Sequence, residues 1–308
     1  MSIRAKGTTN DASPLYVIDG VVRNQEAFES LDASEVENIS VLKDGASAAV
    51  YGARAANGVV LVTTRKGTSS KPTINYSGTV GFDNPTKNPE TMSAYEQATF
   101  LNHNRYQSWI DSGSDPKKRP ENQKTWYTDD ELEYLKGVNY SWLDEMWRTP
   151  LTTRHALNIT GGTDRMRYFI GGAYYFATGA FDNLEYNKAN FRASIDANIT
   201  DHLKIGLNIS TDNRKDIKPH WKSDGGRDNM DNLYASILKR SKMNPFYING
   251  LPVKANGLEQ HPLTQISEQA GRDTRKWMNT NVNMFAEYDA PFLKGLKLKF
   301  QYLSLIHI

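Results

Sequence analysis

The 308-residue sequence predicts a mainly β protein: an incomplete transmembrane antiparallel β-barrel preceded by a partial α/β plug domain. Three observations predict it. Seven stretches beyond residue 72 alternate apolar and polar residues with a period of two, the mark of strands with one apolar and one polar wall. The connections between them alternate long and short. Ahead of them, residues 15 to 64 mix short apolar strands with an Ala-rich stretch, the pattern of a small α/β unit. The plug part is placed at residues 1–67 and the barrel part at 68–308.

Composition narrows the function classes. Hydrophobic residues make up 38%, and no run approaches the ~20 apolar residues of a membrane helix. Barrel strands escape that test, because only every second residue faces lipid. A net charge of +2 gives no electrostatic support for nucleic-acid binding. The absence of cysteine excludes disulfides and thiolate metal sites. The six histidines (103, 155, 202, 220, 261, 307) show no metal-ligand spacing, so no metal, cofactor or catalytic residue is assigned. Met1 to Asn10 lacks the apolar core of a signal peptide.

Within the plug part, Leu15 to Ile18 is a short strand closed by a turn at Asp19-Gly20. Asn24 to Leu31 reads as a short helix or loop. Val36 to Leu42 alternates as a strand with one buried face and ends at Lys43-Asp44-Gly45. Ala46 to Ala56, broken by Gly52, reads as a short helix whose small side chains let it lie close to a sheet. Gly58 to Thr64 is β-branched and unbroken, hence a buried strand. Gly45 to Gly58 lacks both glycine-rich phosphate-loop patterns. Ser47 has no Lys or His at catalytic spacing, and turn or strand-end roles explain Asp19, Glu37 and Asp44.

In the barrel part the apolar faces are Ile74, Tyr76, Val80 and Phe82; Leu157 and Ile159; Met166 through Phe176; Phe191 through Ile199; Leu203 through Ile209; Val282 through Tyr288; and Leu296 through Tyr302. Gly161 to Asp164, Thr200 to His202 and Asp289 to Lys294 are the short turns. Residues 84–154, Thr178 to Lys188 and residues 214–276 are the long ones, 84–154 and 214–276 being long outer loops. Outer-membrane barrels have this layout, with short periplasmic turns and long outer loops. The plug then enters the wall from the short-turn side. Tyr76, Phe82, Tyr168, Phe176, Tyr288 and Tyr302 fit interfacial girdles, or are simply strand-favouring residues. Inward-facing Arg192, Asp196, Lys204, Lys297 and Lys299 are expected to form charge pairs with the plug or with neighbouring strands.

About seven strands do not make a whole barrel. Bacterial single-chain barrels have even strand numbers, and plugged lumens belong to roughly 22 strands. Two bare sheet edges in lipid cost on the order of tens of kcal/mol in unpaired backbone groups. Residues 68–308 are therefore read as the first ~7 strands of a ~22-stranded barrel. Leu303 to Ile308 (LSLIHI) looks like a translated sequencing adapter, with a native strand end as the alternative.

The loops carry helical patterns of their own. Ser93 to Ser108 has near-helical spacing, and Thr128-Asp-Asp-Glu131 forms a capping box for a helix through Leu135. Trp142, Met146 and Trp147 are expected to pack the loop, with partner contact or ligand stacking as alternatives. The 214–276 loop reads as polar and aromatic-poor. Its Asp224, Asp228 and Asp231 lack EF-hand spacing and read as a solvated loop.

The segments SIRAKGT (Ser2–Thr8), PLYVIDGV and VENISVLKDGASAAVYGARAANGVVLVTTRKG, with the strands that follow, resemble the plug and barrel start of SusC/RagA-type TonB-dependent outer-membrane transporters. The resemblance implies import of an oligosaccharide or peptide across the bacterial outer membrane of a Bacteroidota source. It implies a SusD-like surface lipoprotein and the TonB energy-coupling complex as partners, outer-membrane lipid as surroundings, and no enzyme activity. The signal peptide, N-terminal extension and TonB-contacting segment are then expected upstream of Met1. A barrel adhesin without transport and a soluble β-sandwich carbohydrate-active enzyme are the alternatives. The second needs a pair of catalytic carboxylates, and no convincing pair is found.

Overall fold

The computed structural model describes residues 13–43, 49–114, 126–219, 230–253, 261–293 and 295–307. Ser2–Thr8, Asp44, Ser47, Asp224 and Asp228 lie outside these.

The plug part forms a four-stranded sheet of β1 (Leu15–Ile18), β2 (Val21–Arg23), β3 (Val36–Leu42) and β4 (Val59–Thr64), in the order β2-β1-β4-β3. β1 and β4 are parallel, and the other pairs are antiparallel. Asp19 and Gly20 make the β1–β2 turn with φ of 51° and 81°. An Asp tolerates this left-handed region through its short polar side chain, and Gly has no Cβ to clash. Helix α1 (Gln25–Ser30) is capped by the Asn24 side chain, which accepts from Ala27 N at 3.0 Å. It covers one sheet face, where Tyr16 stacks on Phe28 beside Val60 and Val62. The Ala-rich stretch covers the other face against Val17 and Val59. Its described residues from 49 on are two 3-10 turns, Ala49–Tyr51 and Ala53–Asn57, rather than α-helix, and residues 46–48 of the expected helix lie outside the described residues. Gly52, at φ 73°, separates them. The expected buried face of β3 is also corrected. Ile39 and Val41 are exposed, because β3 is an edge strand paired only with β4.

Seven long strands form an antiparallel sheet in sequence order: β5 (Thr73–Phe82), β6 (Leu151–Gly162), β7 (Met166–Thr178), β8 (Glu185–Asn198), β9 (Leu203–Pro219), β12 (Arg272–Asp289) and β13 (Lys297–His307). The two-stranded hairpin β10 (Tyr247–Ile248) and β11 (Leu251–Pro252) lies between β9 and β12 in the chain. The large sheet is not closed: β5 and β13 are its edges. One face is an apolar wall open to the surroundings, with Ile74, Phe82, Leu157, Ile170, Phe191, Ile205, Met284 and Phe300 all exposed. The opposite face carries Asn158, Arg192, Ser194 and Asp212, all buried beneath the plug. A sandwich would bury the aliphatic face and leave the polar one wet. The arrangement found is the reverse.

The connection lengths need correction. Strands β9 and β12 pair from Tyr288↔Leu203 out to Arg272↔Pro219, so both ends of 214–276 are strand and the connection is 220–271. Arg154 belongs to β6, and the first long connection is 83–150 rather than 84–154. Thr178 to Lys188 is not long. Thr178 pairs with Glu185, and six residues join β7 to β8. These outer strand ends lack apolar alternation because they stand beyond the apolar band, where nothing requires it. The three turns at the other end, 163–165, 199–202 and 290–296, are short as expected.

The outer connections fold together. Helices α2 (Ala94–Asp111) and α3 (Asp129–Lys136) both start with full capping boxes, at Ser93/Glu96 and Thr128/Glu131. Helix α4 (Trp142–Met146) buries Trp142 and Met146 with Phe181 of the β7–β8 turn, Leu233 and Ile237 of α5 (Met230–Leu238), and Ile266 after α6 (Pro262–Gln265). The loop-packing reading of Trp142 and Met146 therefore holds. The reading of 214–276 as a polar loop does not, since it supplies half of this core.

Candidate functional site: the interface between plug and wall

The polar face of the sheet grips the plug through two strands, β6 and β8. At the first contact the Asp19 carboxylate accepts from Thr64 N at 2.9 Å and from Thr64 Oγ1 at 2.6 Å, tying the β1–β2 turn to the end of β4. Arg192 of β8 donates Nη2 to Asp19 Oδ2 at 2.6 Å and also to Thr64 Oγ1. The guanidinium is almost fully buried. At the second contact Arg154 of β6 makes a two-pronged ion pair with Asp32, its Nε 2.9 Å from Oδ2 and its Nη2 on Oδ1. Ser34 donates to the same carboxylate through N at 2.8 Å and Oγ at 2.6 Å. Burial raises the affinity of Asp32 for its proton, but the hydrogen bonds from Arg154 and Ser34 outweigh it and leave the carboxyl below its usual range.

A third contact takes up free carbonyls at the C-terminus of α1. Lys188 Nζ donates to Glu29 O at 2.8 Å and to Leu31 O at 3.4 Å, and Asn190 donates to Ser30 O. A cation suits the negative end of a helix, whose last carbonyls lack intrahelical partners. Asn158 of β6 adds a 3.5 Å bond to Ser34 O.

Glu35 lies between these contacts, 2% exposed, in the 3-10 turn Ala33–Glu35. Its Oε1 has no hydrogen-bond partner among the described residues. Burial pushes its carboxyl up to about 7. Arg192 and Lys188 oppose that shift, and Asp32 and Asp212 reinforce it. Glu35 lines a cavity of about 60 Å³ between plug and wall, with Asp19, Arg23, Arg192, Asp212 and Asn281. That is room for a few waters among polar partners. A second space of about 460 Å³, lined by Arg23, Arg54, Asp212 and Asn279, continues the seam toward β12 and β13.

The inward-facing charges expected from the alternation all find partners. Arg192 pairs with the plug, Lys204 with Asp196 at 3.5 Å, Lys297 with Asp289 at 3.2 Å and Lys299 with Glu287 at 2.8 Å. Arg154, Lys188, Asn190, Asp32 and Glu35 were missed. On the sequence pattern Arg154 and Lys188 fall at loop boundaries. The inward parity they share with Asn158 and Arg192 was the available signal. Asp19 was read as a turn residue only, because its long-range role depends on a partner 173 positions away. Among the described residues no group of His, Asp or Glu could hold a metal ion.

A barrel-type wall with lipid-ready apolar side chains outside and an α/β plug clamped to its polar inside defines a plug-and-barrel protein. The family model for the TonB-dependent Receptor Plug Domain matches residues 1–59. TonB-dependent receptor P3 of Formosa agariphila is 27% identical over 97% of this chain, and TonB-dependent receptor SusC of Bacteroides thetaiotaomicron is 29% identical over 69%. The chain spans 27% and 20% of the length of these relatives. Among solved structures, the RagAB peptide importer in its closed-closed state superposes with a TM-score of 0.72 at 21% identity, over 96% of this chain and 35% of that one. The chain thus resembles SusC/RagA-type TonB-dependent receptors in both its plug and its incomplete barrel.

Proposed function

We propose that this chain is the plug segment and the first seven of about 22 strands of a TonB-dependent importer. It lies in the bacterial outer membrane and admits a nutrient, an oligosaccharide or a peptide. The observation that carries the reading is the two-faced wall: apolar and exposed outside, polar and locked to an α/β stopper inside. A stopper held by ion pairs and a wet seam, rather than by a greasy core, is one that a mechanical pull can remodel without exposing a hydrophobic interior. The relatives' character as receptors supports import, and the RagAB peptide importer supports peptide as one cargo class. A SusD-like lipoprotein would sit over the outer loops, and the TonB complex would pull on a segment preceding the plug.

The test is cellular uptake of labelled oligosaccharides and peptides by a strain expressing the complete receptor, with and without TonB. TonB-dependent uptake is expected for one of the two classes. Equal accumulation with and without TonB for both classes would sink the proposal.

A further inference from the structure

On the outward face of the wall, above the apolar band, two lysines stand directly opposite each other. Lys215 of β9 is the ladder partner of Lys276 of β12, and Asn187 of β8 is the next residue across. All three share the parity of the exposed band. On β9 that parity runs through Ile205, Leu207 and Ile209, and on β12 through Met284 and Val282. Like charges directly across an antiparallel pair repel, so an uncompensated Lys-Lys pair weakens the sheet at that point. Among the described residues neither lysine makes an ion pair, although other charges at these strand ends do: Lys218 and Arg275 both reach Asp273. Glu185, one row further out by register, makes none with them either.

Height on the wall specifies what would compensate them. The inner end of the band is marked by Tyr288, paired with Leu203. Twelve residues separate Tyr288 from Lys276 along β12. At ~3.3 Å per residue and a tilt of about 40°, Lys276 stands ~30 Å above Tyr288 along the barrel axis. The apolar band of such barrels is about 25 Å tall. The lysine pair therefore clears the hydrocarbon by roughly 5 Å, the level of lipid headgroups. One row below it the outward face carries Tyr174, whose hydroxyl donates to Asn187 at 2.9 Å, together with His155 and Met278. An aromatic and amphipathic row of this kind belongs at the boundary between hydrocarbon and headgroups.

We infer that Lys215 and Lys276, with Asn187 beside them, form a binding site on the outside of the wall for the phosphate of an outer-leaflet lipid headgroup. Two ammonium groups on neighbouring strands give such a phosphate two point charges at once, and the phosphate removes the repulsion between them. The inference rests on the outer-membrane reading.

The test uses the complete receptor, delipidated and placed in nanodiscs of phosphatidylcholine with or without diphosphorylated lipid A. Native mass spectrometry then reads the lipid A retained after repurification. The wild-type protein and the Lys215→Arg/Lys276→Arg variant should retain it. The Lys215→Gln/Lys276→Gln variant should bind it roughly tenfold to thirtyfold more weakly. In lipid-A-free discs the Gln variant should melt no lower than wild type. Should the double variant not fold, Lys276→Gln alone, at an exposed position, serves with a smaller expected loss. Equal retention by all variants overturns the inference and leaves the importer reading standing. Displacement of lipid A by millimolar inorganic phosphate overturns it too, by showing a free-anion site. A receptor that does not insert in either disc overturns the outer-membrane reading itself.

Discussion

Arg192 reaches the plug from the wall and holds two of its groups with one nitrogen, Asp19 Oδ2 and Thr64 Oγ1. Removing the guanidinium leaves the largely buried Asp19 carboxylate with Thr64 as its remaining partner, and breaking a buried pair costs up to about 3–5 kcal/mol. In the complete receptor, Arg192→Ala should speed hydrogen exchange in Tyr16–Ile18 and Val59–Thr64 while leaving the outer halves of β8 and β9 protected. Unchanged exchange in those plug strands would show that the ion pair does not hold the plug. Glu35 acts in the opposite sense. Its docked pKa of about 7 lies above the ordinary 4.5, so the docked state binds more protons than the released state between those values. Docking is then strongest below about pH 4.5 and weakens as pH rises toward 7. Asp32, held below its usual range, contributes stability above its ordinary pKa and loses it only as pH falls further. Glu35→Gln should therefore tighten plug docking at neutral pH by about 1–3 kcal/mol and flatten the slope between pH 4.5 and 7. Plug-amide exchange measured across that range checks both points, and a slope retained in the variant would assign it to another group.

Between plug and wall the linker runs beneath the β6–β7 turn, where Gly162 N donates to Ser70 O at 3.0 Å. A Cβ on Gly67 would collide with the backbone of Arg167 and Tyr168, which has no room to move. Gly67→Ala should destabilise the receptor by about 1–3 kcal/mol through this overpacking and expose the linker to cleavage after Lys66. Trypsin digestion followed by mass spectrometry reads the cut. Much of this organisation was legible in the sequence. The seven strands, the helical spacing from Ser93, the capping box at Thr128 and the turn at Asp19-Gly20 are local patterns, and each is present. What escaped was long-range. The outer ends of β8, β9 and β12 carry polar residues on both faces, so no period marks them as strand. Leu233, Ile237 and Ile266 join Trp142 only after the chain has crossed the wall several times. The plug's grip is likewise assembled from residues 122 to 173 positions apart.

At the scale of the molecule the open sheet dominates. The unpaired edges of β5 and β13 leave backbone donors and acceptors that hydrocarbon cannot satisfy, at several kcal/mol each. Residues 1–308 made alone should fail to become protease-resistant in lipid vesicles and should show no heat-modifiable migration on gels. The complete receptor should do both. Resistance of the isolated chain would mean that its edges find each other or a second copy. The wall also determines how the outer surface behaves. Because the β5–β6, β7–β8 and β9–β12 connections share one core around Trp142 and Met146, they should respond to cargo or partner as a single body.

The grip of β6 and β8 on the plug bears on the order of assembly. Every ion pair and hydrogen bond described between the two parts is made by residues 19 to 192, all translated before β9. The stopper can thus seat on a wall that is still an open sheet. On the importer reading, later strands would then close around a stopper already in place, and no finished cylinder would have to admit a folded domain through its mouth.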